Sequence, residues 1–375
     1  MNLPRHQLIT TPQAWQACLK QLQAEESLAI DLEANSMYVY REQVCLIQIS
    51  IPEQDYIIDP VADLDLSGLG VLIADPAIEK VFHAAEYDLI LLKKEYGWEL
   101  NNLFDTMWAA RILGYKRYGL ANLLEELYEV KLNKRYQKSN WCKRPLTLPQ
   151  LAYAQHDTHF LFRLRDHFIA ELTAANRLEE AREIFAEQSQ VTPNDNQFDP
   201  DSFWSINGIN DLTNQQQAVL KKLNIYRDKE AQQRNLPLFK VISNKTLLLL
   251  AQEEPRSFNQ LNQIQGMSWG QIRRYGEQIL AAIEAGRNAP HPKRPKREKR
   301  PSDQVLNRYE KLHNWRKNCA RRRGVESDVI ISRHTLWDIA RQNPRTLESL
   351  AQIESVGPWR FQTYGQEILD LLQKR

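Results

Sequence analysis

Residues 27–33, SLAIDLE, set two acids into an otherwise apolar run. Successive side chains of a strand point to opposite faces, so Asp31 and Glu33 share one face while Ile30 and Leu32 share the other. Adjacent carboxylates repel and are costly to bury, so a basic side chain or a metal ion must compensate them. The plain alternative is a strand end whose acids simply face water. The pair alone does not separate these readings.

Further strands are expected at residues 44–51 (VCLIQISI), 56–59 and 80–83, all rich in branched apolar side chains. Helical periodicity follows at 87–96, 106–113, 120–127 and 148–173. This alternation predicts an α/β domain with a mixed sheet. The polar stretch 188–201, QSQVTPNDNQFDPD, then reads as a linker. Beyond it, residues 226–283 recur at 315–372 with a constant offset of 89, in pairs such as Arg227/Arg316, Ile242/Ile331, Ser243/Ser332, Thr246/Thr335 and Tyr275/Tyr364. That offset is too long for a solenoid unit and predicts two tandem domains, each of four or five short helices. Between them, residues 287–301, RNAPHPKRPKREKRP, predict an extended, exposed linker.

The bulk properties bound what such a chain can be. Its 375 residues are too many for one ordinary domain, and 42% hydrophobic with 26% charged residues is the balance of a folded soluble protein. No apolar run approaches a membrane helix, and the N-terminal stretch lacks the apolar core of a secretory signal. Cys18, Cys45, Cys142 and Cys319 are scattered without a Cys-x-x-Cys pair. Neither a disulfide framework nor a thiolate zinc site is expected, and a reducing cytoplasm fits best. The net charge of +2 conceals +10 over residues 286–375 against −8 in the remainder. An acidic body with a basic tail suggests a polyanionic partner held by the tail, or else a solubilising surface.

Two more segments carry chemistry-bearing residues. Residues 80–92, KVFHAAEYDLILL, run from a strand through a turn at His83 into a helix beginning near Asp88. An acid there can merely complement the helix dipole, and His83 suits a structural hydrogen bond better than a metal. In LPQLAYAQHDTHF, Tyr153 and Asp157 stand four apart and share one helical face, with Leu151, Ala154, Phe160 and Leu161 left for packing. No G-x-x-x-x-G-K-[ST] phosphate loop is present, which argues against a helicase.

In order, the chain has Asp-x-Glu on a first strand, Asp after a later strand and Tyr-x-x-x-Asp on a late helix. This set resembles the DEDD exonuclease superfamily in its tyrosine-bearing branch, and within it the ribonuclease D family. VCLIQIS, KVFHAAEYDL, FDTMWAARILG with Asp105 and Thr106, YGLANLL, and NWCKRPLTLPQLAYAQHD support the resemblance. The repeats resemble HRDC domains, helical modules shared with RecQ-type helicases. Leu32 stands where the family often has Thr, and Ala34–Met37 (ANSM) departs from an aromatic-rich stretch.

The resemblance implies a ribonuclease H-like mixed-sheet exonuclease domain (1–190), followed by HRDC-like domains at 205–287 and 302–375 around a basic linker, 288–301. It implies two divalent ions, magnesium or manganese, held by Asp31, Glu33, Asp88 and Asp157. Asp31 would bridge both ions, Glu33 and Asp157 would complete the site of the ion carrying the attacking water, and Asp88 would serve the second. Tyr153 would orient the attacking water, since an ordinary tyrosine is a poor resting base at neutral pH. The implied reaction is 3′–5′ exonucleolytic hydrolysis of RNA, precursor tRNA 3′ ends above all, releasing nucleoside 5′-monophosphates. A 3′–5′ DNA exonuclease in repair, with single-stranded DNA as partner, and a non-catalytic nucleic-acid-binding adaptor are the alternatives. Lys293, Arg294, Lys296, Arg297, Lys299 and Arg300 of the linker are the candidate phosphate contacts, with a solvated charge run as the plain reading. Tyr226, Trp269, Trp315, Trp337 and Trp359 are candidates for base stacking, although a tryptophan at helical spacing usually packs in a core. The oligomeric state is not legible from the sequence.

Overall fold

A computed structural model describes residues 3–193, 198–295 and 299–373. Four residues of the expected first linker, 194–197, and the candidate contacts Lys296 and Arg297 lie outside the described residues. Contacts divide the chain into two compact units. One is Met1–Ala34, Val44–Pro193 and Lys299–Arg375; the other is Asn35–Gln43 and Asn194–Glu298.

The first unit is built on a six-stranded sheet. Its strands are β1 (Gln7–Ile9), β2 (Ser27–Ala34), β3 (Val44–Ile51), β4 (Gln54–Ile58), β5 (Glu79–Phe82) and β6 (Leu103–Asp105). They lie in the order β1-β4-β3-β2-β5-β6. β2, β3 and β4 form an antiparallel meander, while β5 and β6 join in parallel beside β2. This is the mixed sheet that the alternating pattern predicts, in the ribonuclease H-like arrangement that the resemblance implies. The helices are α1 (Pro12–Leu22), α2 (Ser67–Ala74), α3 (Glu86–Tyr96), α4 (Thr106–Leu113), α5 (Leu120–Tyr128), α6 (Leu148–His159), α7 (Leu161–Ala174) and α8 (Leu178–Ser189). Leu28, Ile30 and Leu32 of β2 are buried with Ile47 and Ile49 of β3 in the main core. α6 covers the opposite face, where Leu46 and Ile57 meet Leu151 and Ala154.

Two expectations are corrected here. Residues 148–173 form two helices, α6 and α7, rather than one. Phe160 leaves helical continuity (φ −93°, ψ −3°) while remaining buried, and the preceding His159 is bonded to Asp55 of β4 at 2.9 Å. The break lets successive apolar side chains, Phe160 and Leu161, both enter the core. Second, Cys45 and Cys142 form a disulfide, their Cα atoms 4.8 Å apart across 97 residues of sequence. Topology brings them together beneath α6, which spacing could not reveal. Cys18 and Cys319 are free and buried.

The repeats are helical throughout, and the offset of 89 holds element by element. Asn214–Arg234, Leu238–Val241, Asn244–Glu253 and Phe258–Leu261 correspond to Asp303–Arg323, Ser327–Ile330, Arg333–Gln342 and Leu347–Ala351, and Trp269–Arg287 to Pro358–Gln373. Even single bonds recur. The Nη1 of Arg227 donates to Ile242 O at 3.2 Å and that of Arg316 to Ile331 O at 3.1 Å. Ser243–Thr246 and Ser332–Thr335 hydroxyl contacts match at 2.9 and 2.8 Å.

The second repeat packs against the sheet domain through ion pairs. Arg111 of α4 meets Glu326 and Asp328 at 2.7 and 2.6 Å, Arg323 meets Glu180 at 2.7 Å, and Arg360 meets Glu187 at 2.8 Å. Part of the charge asymmetry seen in the sequence is therefore answered inside the chain, where acids of α8 face bases of the tail. Among the described residues, no helix is long and apolar enough to cross a membrane.

Candidate active site

The acids of β2 sit at the end of the strand where the pairing becomes irregular. Asp31 opposes Gln48 and Glu33 opposes Leu46, after which a bulge shifts the register between Glu33 and Ala34. Bulges of this kind re-aim side chains beside active sites. α6 lies over the same face and brings Tyr153 and Asp157 down onto it. A polar network fixes that helix. Ser50 Oγ donates to Asp55 Oδ1 at 2.6 Å and contacts Thr158 Oγ1 at 2.8 Å, while Gln155 Nε2 and His159 Nδ1 bond Asp55 Oδ2 at 2.6 and 2.9 Å. A Thr147–Gln150 capping box starts the helix.

Asp31, Glu33 and Asp157 each present a carboxylate oxygen, all within 4.8 Å of one another. Asp88, buried in the first turn of α3, stands outside this triad, but its charge acts on Glu33. The turn leading to α3 hangs on Asp105. Its carboxylate accepts from the N–H groups of Ala84 and Ala85 at 3.1 and 2.9 Å, and from Met107 and Trp108 at 2.9 and 3.2 Å. One side chain thus caps α4 and ties down the backbone before Asp88. His83 is structural as expected, bonding Thr106 Oγ1 at 2.9 Å.

The electrostatics are those of like charges crowded together. Burial raises Asp31 to about 7, against a weaker opposing hydrogen bond from the Leu32 backbone. Burial, then repulsion from Asp31, Asp157 and Asp88, raises Glu33 to about 10. Asp88 is driven well above the carboxylate range by burial and by Asp31, Asp105 and Asp157, and Asp157 by burial and Asp31. Among the described residues, no basic side chain offsets the repulsion acting on Asp31, Glu33, Asp88 or Asp157; divalent cations would. All-oxygen carboxylate sets suit hard ions such as magnesium or manganese. Tyr153 is held protonated, its pKa raised by burial and by the neighbouring acids Asp157, Glu33 and Asp31.

The site opens into a cleft of about 450 Å³ lined also by Met107, Leu120, Leu132, Lys134 and Gln137. The segment between α5 and α6 supplies the last three; its first part, residues 129–139, has no periodicity to announce it in the sequence. Arg144 anchors this segment, donating to Asp59 at 2.5 and 2.6 Å and to Cys45 O at 2.8 Å. Asp105 carries no sequence signal apart from the resemblance, because its double capping joins two separate segments. Of the linker bases, Lys293, Arg294, Lys299 and Arg300 are exposed, and Arg294 bonds Asn210 Oδ1 at 2.8 Å. Trp315 is core, whereas Trp269 is 70% exposed.

Comparison with known proteins gives the same picture. A 3′–5′ exonuclease family model matches residues 6–173, and the HRDC domain model matches 216–283 and 305–372. Ribonuclease D of Zymomonas mobilis is 33% identical over 287 residues, covering 74% of this chain and 72% of that protein. Ribonuclease D of Gluconacetobacter diazotrophicus is 29% identical over 382 residues, covering 100% of this chain and 94% of the relative. The crystal structure of Escherichia coli RNase D superposes with a TM-score of 0.68 at 24% identity, covering 99% of both chains, a likeness of fold. Fold and cleft together define a nuclease, a hydrolase of the 3′–5′ exonuclease class. The chain belongs to the ribonuclease D family and is a 3′–5′ exoribonuclease. Exonucleases of its superfamily generally act with divalent metal ions.

Proposed function

We propose that this exoribonuclease trims the 3′ ends of structured RNA, precursor tRNA foremost, with two ions, magnesium or manganese, held by Asp31, Glu33, Asp88 and Asp157. The observation that carries the reading is the triad of Asp31, Glu33 and Asp157 oxygens within 4.8 Å, whose mutual repulsion no basic side chain among the described residues offsets. When bound, divalent ions lower the pKa of a water and neutralise charge developing on the phosphate. Asp31, whose oxygen lies within 4.8 Å of those of Glu33 and Asp157, would contribute to holding both ions. Asp88, outside the triad but close enough for its charge to act on Glu33, would help hold the second ion. Tyr153, on the same helical face as Asp157, keeps its proton and aligns the attacking water rather than abstracting from it. Nucleoside 5′-monophosphates leave through the cleft.

The helical repeats and the exposed linker bases Lys293, Arg294, Lys299 and Arg300 are assigned to holding the body of the RNA by its phosphates. Domain limits of 1–190, 205–287 and 302–375, with a linker at 288–301, are part of the proposal, as is a cytoplasmic location. A time course on matched RNA and single-stranded DNA, labelled at either end, tests it. With magnesium or manganese, 5′-labelled RNA should shorten stepwise while 3′-labelled RNA yields mononucleotide at once. Internal cleavage, full activity in chelator, or preference for DNA would defeat the reading.

A further inference from the structure

Gln48 is a feature of the site's floor that neither packing nor capping explains. It lies at the centre of β3, fully buried. Neither its Nε2 nor its Oε1 has a hydrogen-bond partner among the described residues. An unmet buried amide group costs about 1–3 kcal/mol. The site could have taken a leucine or methionine at no such cost, since Leu46, Ile57 and Ala154 around it form an apolar cluster.

Register shows where the amide belongs. Gln48 is the direct antiparallel partner of Asp31. Directly opposed residues share a face, with Cβ atoms about 4.5–5.5 Å apart. That face is the one α6 covers, as the Ser50–Thr158 contact at 2.8 Å confirms two residues further along β3. The glutamine is therefore held beside the first carboxylate of the triad, with no competing partner for its donor or its acceptor.

We propose that Gln48 is a positioning residue for Asp31, its Nε2–H donating to the Asp31 carboxylate when that carboxylate turns to hold divalent ions. The inference rests on the metal reading above. A carboxylate holding ions still has lone pairs directed away from them, and an N–H donor on that side fixes its rotamer. Gln48 touches neither substrate nor ion; it acts through Asp31. Partners of this kind, one step removed from a metal, typically govern its affinity by 10–100-fold.

The test is calorimetric titration of Mn²⁺ into the chelator-treated, full-length protein, with Gln48→Met as the variant. Methionine keeps the length and volume and removes both polar groups. The melting temperature in chelator should equal or exceed that of the wild type, while Mn²⁺ affinity falls about 10–100-fold. Unchanged Mn²⁺ affinity overturns the assignment, and a lower melting temperature with unchanged affinity makes Gln48 an ordinary core residue. A wild type that binds no Mn²⁺ defeats the metal reading and this role with it. Should the variant not fold, side-chain amide NMR of the wild type decides: Mg²⁺ should shift the Gln48 Nε2 resonance and slow its hydrogen exchange. A resonance indifferent to Mg²⁺ overturns the proposal.

Discussion

The indole of Trp141 packs against the ring of Tyr153, centroids 5.8 Å apart and planes tilted by 31°. Trp141 is buried, and its segment is fastened by Arg144 to Asp59 and by Cys142 to Cys45. The phenol ring is thus set from below while its hydroxyl is left for the cleft.

Tyr153→Phe should keep this packing and lose only the hydroxyl. Single-turnover hydrolysis is expected to slow by about 100-fold, the low end of what positioned proton-handling groups contribute, with Mn²⁺ affinity unchanged. Trp141→Ala should slow turnover as well but also destabilise the domain by about 3–5 kcal/mol, as large-to-small core changes do. An unaltered rate in Tyr153→Phe would show that the hydroxyl is idle.

The acid cluster makes the metal-free domain sensitive to pH. Asp31 at about 7 and Glu33 at about 10 bind protons more tightly folded than unfolded. A raised carboxylate pKa favours the folded state while the group is protonated, and that contribution is lost as pH rises through the folded value. In chelator, thermal stability should therefore decline from about pH 4–5 upward, where free carboxylates titrate. Saturating Mg²⁺ should flatten the decline, and Asp31→Asn should reduce it. Melting curves at stepped pH with and without Mg²⁺ check this; a metal-free protein that gains stability toward pH 8 would contradict it.

Asp105 answers four backbone N–H groups on two segments. Asp105→Ala should cost roughly 2–4 kcal/mol by urea unfolding, the range of a lost cap plus buried donors left unmet. Asp105→Asn, which keeps an acceptor, should cost clearly less. Equal losses in the two variants would mean that the bonds to the turn before Asp88 contribute little.

The repeats offer an internal control on docking. Gln271 donates to Val241 O at 3.0 Å in the first repeat; its counterpart Arg360 donates to Ile330 O at 3.1 Å and also reaches Glu187 at 2.8 Å. Arg360→Gln should preserve the internal bond and remove the ion pairs to α8. Charged hydrogen bonds of this type are worth about 1.5–3 kcal/mol, so amide exchange in α8 should accelerate by about tenfold or more. Exchange unchanged from the wild type would show that apolar contacts alone hold this interface.

Much of this was open to reading in the chain itself. The alternation at 27–33 fixed which face carries Asp31 and Glu33, because strand geometry leaves no freedom there. The repeat is legible in the sequence, since the helix starts recur at the same offset as the identities. Other features depend on contacts between distant segments and leave no local trace. The Cys45–Cys142 bond, the Arg144 anchor and the ion pairs of Arg111 with Glu326 and Asp328 all join segments far apart in sequence. β1 and β6, at three residues each, are too short to show a period. Gln48 sat in plain view inside VCLIQISI, but only pairing register reveals it as the neighbour of Asp31.

The most direct measurement is anomalous diffraction at the manganese edge from crystals of the full-length protein equilibrated with Mn²⁺. Strong peaks enclosed by the carboxylates of Asp31, Glu33 and Asp157, and absent from Asp31→Asn crystals, are the predicted result. Manganese-saturated crystals with no peak among those three side chains would contradict the account.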